Sequence, residues 1–225
     1  MPEGPEVYIL AKVFKSIGFE SDSIGKHLIL RDAHTGELFD FSFGLGGKIK
    51  VEDNLSVSKI NHRTLPSGYK LKVQKKKEVE DKLGVDWMKA TKEEIEYIVK
   101  GWVKRKKQVG ALILDQSEIA GIGVVWASEI LHRAKIQPEL KANLIEFLDL
   151  KDNLVDAIYE IGKRIKKVYL NSVEKDEKKF INSWFHNLYQ IREKELKVSW
   201  LLLSRSVVKF LNCPISGGMD VSRLL

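Results

Sequence analysis

Gln116-Ser117-Glu118-Ile119-Ala120-Gly121-Ile122-Gly123-Val124-Val125-Trp126-Ala127-Ser128-Glu129-Ile130-Leu131 is the stretch on which the reading of this chain turns. Gly121-Ile122-Gly123 has the composition of a tight turn, and the apolar spacing after it predicts a helix from 124 to 134. Glycines allow a backbone to pass close to an anion, and the free amides at the start of the next helix attract one. The same pattern also suits a plain helical hairpin.

Working toward the N-terminus, residues 108–116 read as a preceding helix, led by the basic run Lys104-Arg105-Lys106-Lys107. Thr91 and Glu94 have capping-box spacing, and Ile95, Ile98, Val99 and Trp102 then recur at helical intervals. Before Thr91 the pattern changes to alternation. Leu28-Ile29-Leu30 and the segment 38–43 read as strands joined by a turn over 32–36, with Phe39, Phe41 and Phe43 on one buried face. Further strands are expected at 48–51 and 69–73, and Lys75-Lys76-Lys77 reads as a solvated loop. Val7, Leu10, Val13, Phe14 and Ile17 predict an opening helix that stops at Gly18.

Toward the C-terminus one or two helices are expected over 143–169, and strand or loop from Ser199 onward. The class is therefore α+β, a small β-rich region followed by a helical one. Trp87, Trp102 and Trp126 lie among apolar residues and are assigned to the core.

The chain has 225 residues, is 44% hydrophobic and carries a net charge of +7, enough for a real core and suited to a polyanionic partner. Cys213 is the single cysteine, so no internal disulfide forms and no cysteine-rich zinc site is expected. No run is long and apolar enough for a membrane span, and the first residues lack the pattern of a signal peptide, so an intracellular protein, cytoplasmic or nuclear, is expected.

The chemistry is concentrated at Met1-Pro2-Glu3-Gly4-Pro5-Glu6. A small second residue permits removal of Met1, which exposes the secondary amine of Pro2. A free α-amino group titrates near about 7.7–8.0 and is partly nucleophilic at neutral pH. The prolines also suit a helix start, and Glu6 suits its first turn as a dipole-stabilising residue.

This opening resembles that of the formamidopyrimidine-DNA glycosylase and endonuclease VIII family. Ile24-Gly25-Lys26-His27-Leu28-Ile29 is similar to its glycine-lysine strand start, and Phe43-Gly44-Leu45-Gly46-Gly47-Lys48 to the loop whose apolar residue fills the gap left by an extruded base. Leu83-Gly84-Val85-Asp86 resembles the segment joining the two domains. Residues 111–116 and the Gly121-Ile122-Gly123 stretch resemble the helix-two-turns-helix element. Val124 stands where the family usually has an asparagine, and 204–214 resembles only fragments of its terminal hairpin.

The resemblance implies a β-sandwich-like catalytic domain with an N-terminal helix over 1–88, a helix-two-turns-helix domain over 89–198, and a degenerate, zincless hairpin over 199–225. It implies a bifunctional glycosylase and lyase for oxidised bases, with Pro2 as nucleophile, Glu3 as acid or base, Lys26 orienting the sugar and phosphate, and Glu6 as a second carboxylate. Leu45 would be the wedge. Gly121, Gly123, Val124, Lys104, Arg105, Lys106, Lys107 and Arg205 would meet DNA. No metal or organic cofactor is implied, and the partner is damaged DNA, met by a monomer. The alternatives are a non-catalytic descendant that still binds damaged or abasic DNA, and an unrelated basic module that binds RNA.

Overall fold

The computed structural model describes residues 2–31, 36, 38–43, 48–51, 60–63, 81–173 and 177–196. Helix α1 (Gly4–Ser16) starts at Pro5 in its first turn and buries Val7, Leu10, Val13 and Phe14. It lies on an antiparallel sheet of β1 (Glu20–Ile24), β2 (His27–Arg31) and β3 (Leu38–Ser42), where Leu28, Leu30 and Phe41 complete the packing. Phe41 and Phe43 are buried and Phe39 packs against the same core, as their alternation requires. Strands β4 (Lys48–Val51) and β5 (Ile60–Arg63) form a second antiparallel pair.

Strand β6 (Val85–Asp86) leads into the helical region and pairs in parallel with β7 (Ile119–Ala120). Helix α2 (Lys92–Trp102) carries the expected capping box: the Thr91 hydroxyl accepts from the Glu94 amide at 3.2 Å, and the Glu94 carboxylate accepts from the Thr91 amide at 2.8 Å. Short α3 (Val109–Ile113) and α4 (Val124–Arg133) flank the glycine turn, and long α5 (Lys151–Asn171) and α6 (Glu177–Glu195) pack against α1. All three tryptophans assigned to the core are buried, and the Trp87 indole N–H donates to the Ile158 carbonyl at 2.9 Å.

Several expectations need correction. The helix expected over 108–116 ends at Ile113, because the Asp115 carboxylate accepts from the Ser117 amide and hydroxyl and so favours a turn over further helix. The helical pattern over 143–169 is interrupted. A 3-10 turn at Ala142–Leu144 is followed by Asp149 at φ 56°, and α5 starts only at Lys151. Strands β1, β5, β6 and β7 and helix α6 have no counterpart in the sequence reading. The expected strand at 69–73, Leu45, Arg205 and the tail over 199–225 lie outside the described residues.

Candidate active site at the domain junction

Three glycines from three elements meet at one point. The Gly4 amide donates to the Gly121 carbonyl at 2.8 Å, and a Cβ on Gly121 would stand 3.3 Å from the Cα atoms of both Gly4 and Gly25. Gly121 has φ +100° and Gly25 φ +57°, conformations that favour glycine. The start of α1, the β1–β2 hairpin and the turn before α4 are thereby clamped backbone to backbone. Gln116 orders that turn: its side-chain carbonyl accepts from the Gly121 amide at 3.0 Å and its NH2 donates to the Ile122 carbonyl at 2.8 Å.

The clamp brings together the N-terminal charges. Pro2 and Glu3 are buried, and the Glu3 carboxylate accepts from the amides of Gly123 at 3.1 Å, Val125 at 3.2 Å and Trp126 at 3.4 Å. Gly123 is the N-cap of α4, so a carboxylate from a residue 120 positions away satisfies orphan donors of that helix. The Glu3 amide in turn donates to the Glu6 carboxylate at 2.9 Å. Glu6 also accepts from the Tyr169 hydroxyl at 2.9 Å and lies 3.6 Å from the buried Arg192 guanidinium. Burial pushes the Glu6 carboxyl above its ordinary range, with Arg192 opposing and Glu3 reinforcing the shift. Tyr169 is likewise raised, first by burial and then by Glu6.

Lys26 occupies the second position of the two-residue loop between Ile24 and His27, with the positive-φ Gly25 ahead of it. The family resemblance suggests a strand start there; the structure puts Lys26 on the hairpin tip. Burial lowers its amine below the ordinary lysine range, while the charges of Glu3 and Glu6 act in the opposite direction. Pro2, Glu3, Lys26 and the glycine turn thus belong to one locus, where the Lys26 amine is easier to deprotonate than a solvated lysine.

Comparison with known proteins bears on the helical region and the fold. The sequence signature described as the formamidopyrimidine-DNA glycosylase H2TH domain matches residues 83–183. The formamidopyrimidine-DNA glycosylase of Lactobacillus helveticus is 38% identical over 68 residues, which are 29% of this chain and 25% of the relative. That of Lactiplantibacillus plantarum is 41% identical over 63 residues, 27% and 23% of the two chains. These matches span about a quarter of each relative's length. Among solved structures, the MutM (Fpg) protein of Thermus thermophilus superposes with a TM-score of 0.58 at 19% identity, covering 74% of this chain and 76% of that one. Lactococcus lactis Fpg, solved with DNA containing N7-benzyl-Fapy-dG, superposes at 0.53 and 18% identity, covering 77% and 82%.

The helical region carries the signature of the formamidopyrimidine-DNA glycosylase H2TH domain, and the fold is that of the Fpg structures. The basic run of the helical region is partly engaged in ion pairs. Arg105 is paired with Glu118, which also accepts from the Trp102 indole, and Lys107 is paired with Asp115 at 3.0 Å. Lys104 and Lys106 are exposed. Val124, the departure from the family pattern, is the first residue of α4 and is half-buried.

Among the described residues, no group of three or more His, Cys, Asp or Glu side chains is placed to hold a metal ion, and no helix is long and apolar enough to cross a membrane. Tyr169 and Arg192 escaped the sequence reading because their partner, Glu6, lies more than 160 positions away. Tyr169 falls in the helical pattern of α5 and reads there as core.

Proposed function

We propose that this protein is a DNA glycosylase with lyase activity, which removes oxidised bases from DNA and cleaves the strand at the resulting site. The observation that carries the reading is the convergence of the N-terminal Pro2-Glu3 segment, the Lys26 amine and the glycine turn before α4 at one buried junction. Removal of Met1 gives Pro2 a secondary amine. That amine attacks C1′ of the damaged nucleotide, the bond from C1′ to the base breaks, and the base leaves with a proton. Ring opening yields an iminium between Pro2 and C1′. Loss of the acidified C2′ proton then expels the 3′ phosphate by β-elimination, and further elimination releases the 5′ phosphate.

Glu3 serves as acid or base for opening the sugar ring, and Lys26 orients the sugar and its phosphate. Glu6, buried against Tyr169 and Arg192, holds the Glu3 amide. The exposed lysines Lys104 and Lys106 suit phosphate contacts, whereas the amides at the start of α4 are taken by the Glu3 carboxylate. Leu45 is proposed as the wedge and Arg205 as a phosphate contact near the lesion.

A second reading, a binder of damaged or abasic DNA that has lost the chemistry, draws on Val124, whose side chain supplies no hydrogen bond to DNA. Borohydride trapping separates the two, because only an iminium is reduced to a permanent adduct. With abasic and oxidised-base DNA, both single-stranded and duplex, the processed protein should form an adduct and a form extended by one residue before Pro2 should not. Equal trapping by both would move the nucleophile to an internal amine, Lys26 first. No adduct on any substrate, after mass spectrometry shows Met1 gone, would favour the binding reading.

A further inference from the structure

We propose that Tyr169 and Arg192, on helices α5 and α6, are positioning residues for the Pro2 nucleophile: they hold the Glu6 carboxylate, and Glu6 holds the amide of the Pro2–Glu3 peptide bond. The inference rests on the reading above for its consequence in catalysis; the contacts themselves do not. Glu6 Oε2 accepts from the Glu3 amide at 2.9 Å. Its Oε1 accepts from the Tyr169 hydroxyl at 2.9 Å and lies 3.6 Å from Arg192 Nη1. The Glu3 amide nitrogen belongs to the plane of the Pro2–Glu3 peptide. Because the pyrrolidine ring locks the bond from its nitrogen to Cα, ψ of Pro2 is the one soft rotation left between the ring nitrogen and that plane. A held plane therefore aims the nucleophile.

In local terms the Glu3–Glu6 contact is half of a capping box at the start of α1. The Thr91–Glu94 box of α2 performs the same task in solvent: Glu94 accepts from the Thr91 amide at 2.8 Å with both residues exposed. Capping alone therefore does not require a buried carboxylate. Glu6 is 1% exposed and Arg192 2%, and taking two charges out of water costs more than a cap returns. What burial adds is a charged acceptor for the Glu3 amide where water does not compete.

The groups that act on Glu6 come from four elements: Glu3 of its own turn, Lys26 of the β1–β2 hairpin, Tyr169 of α5 and Arg192 of α6. Burial disfavours the charged carboxylate, Arg192 favours it and Glu3 opposes it. Arg192 is held in turn. Its guanidinium lies over the Tyr189 ring, 4.8 Å from the centroid, and α6 is tied to α5 by Arg164, which donates to the Glu195 carbonyl at 3.2 Å and stands 3.7 Å from its carboxylate. Glu3 is thereby fixed at both ends, its carboxylate on the α4 amides and its own amide on Glu6. Loss of the Tyr169 hydroxyl frees Oε1 to turn, and loss of the Arg192 charge lets Glu6 take up a proton and grip the Glu3 amide less strongly.

Hydrogen exchange of the full chain, read by nuclear magnetic resonance, tests the hold. The Glu3 amide should exchange about tenfold faster in Tyr169→Phe than in the wild type, whereas the Gly4 amide, which donates to the Gly121 carbonyl, should change by less than about twofold. Arg192→Met should act like Tyr169→Phe. Arg192→Lys should bring protection back to within about threefold of wild type, because at 3.6 Å Arg192 acts by its charge rather than by a hydrogen bond. A merely structural role would speed both amides together. That result, or equal protection of the Glu3 amide in wild type and Tyr169→Phe, would overturn the proposal. If Arg192→Met does not fold, Tyr169→Phe, which removes a single oxygen, still decides.

The catalytic arm uses abasic duplex DNA and borohydride in single turnovers. Tyr169→Phe should slow adduct formation by about tenfold, while affinity for DNA whose abasic site has already been reduced, and so forms no iminium, should stay within about twofold. Ile161→Val, a core change on the same helix, lowers stability through packing alone and should leave the rate unchanged well below its melting temperature. An unchanged rate in Tyr169→Phe, or rate and affinity lost in equal measure, would overturn the positioning role. No wild-type adduct at any pH would defeat the Pro2 reading and leave the exchange result to decide whether Tyr169 and Arg192 hold the peptide.

Discussion

The carboxylate of Glu3 accepts the amide of Gly123 at 3.1 Å, and the N-terminus of the chain is thereby fastened to the N-terminus of α4. Two more amides, from Val125 and Trp126, point at the same carboxylate. Hydrogen bonds from amides to a charged acceptor contribute more than neutral ones, and a helix N-terminus adds a favourable field. Glu3→Ala should therefore destabilise the fold by about 2–4 kcal/mol, and Glu3→Gln by less because one acceptor oxygen remains. Thermal unfolding checks this; equal melting of wild type and Glu3→Ala would mean that the cap contributes nothing.

Gly121 is the glycine at the junction that meets the backbones of both Gly4 and Gly25. Alanine there combines φ +100° with a Cβ 3.3 Å from two other backbones. Gly121→Ala should cost about 1–3 kcal/mol and should also weaken any activity, since the α1 start and the Lys26 loop both lean on this point. Gly101 has no atom within 4 Å of a built Cβ and lies inside α2, so Gly101→Ala is the control and should be neutral or stabilising.

The contribution of Asp86 to stability should fall as pH rises through the acidic range. Asp86 has a folded value of about 6 against an ordinary 3.8, so between these values the folded state holds more protons than the unfolded one. The difference corresponds to a penalty of about 3 kcal/mol, absent below about pH 4 and complete above about pH 6. Glu6, also raised, acts in the same direction. Melting of wild type and Asp86→Asn from about pH 4 to about pH 8 should show the wild type losing ground to the variant as pH rises; a constant difference would contradict the assignment.

Under the DNA-binding reading, the exposed lysines Lys104 and Lys106 should dominate the salt dependence. Lys104→Ala and Lys106→Ala should each reduce the slope of log affinity against log salt by about 1. Arg105→Ala should reduce it less while costing stability, because Arg105 already holds Glu118. Val124→Asn should tighten binding by about 1 kcal/mol if the turn keeps the geometry of its relatives. Fluorescence anisotropy at several salt concentrations measures all four, and slopes unchanged by either lysine substitution would remove the basic run from the interface.

The sequence by itself determined the elements whose signals are local. The Thr91–Glu94 capping box, the glycine turn with α4 after it and the Phe39–Phe43 alternation are each written within a few residues, where propensity and periodicity act. Pro2 and Lys26 were singled out through motif rather than physics, and their roles are proposals. Tertiary structure alone decided what those residues touch. Nothing near Glu3 in the chain indicates that its carboxylate caps a helix 120 positions later, that Gly4, Gly25 and Gly121 form one backbone contact, or that Tyr169 and Arg192 close over Glu6. These contacts arise because buried carboxylates and orphan helix amides must find partners once α1 is enclosed, and the chain satisfies them across elements that only folding brings together.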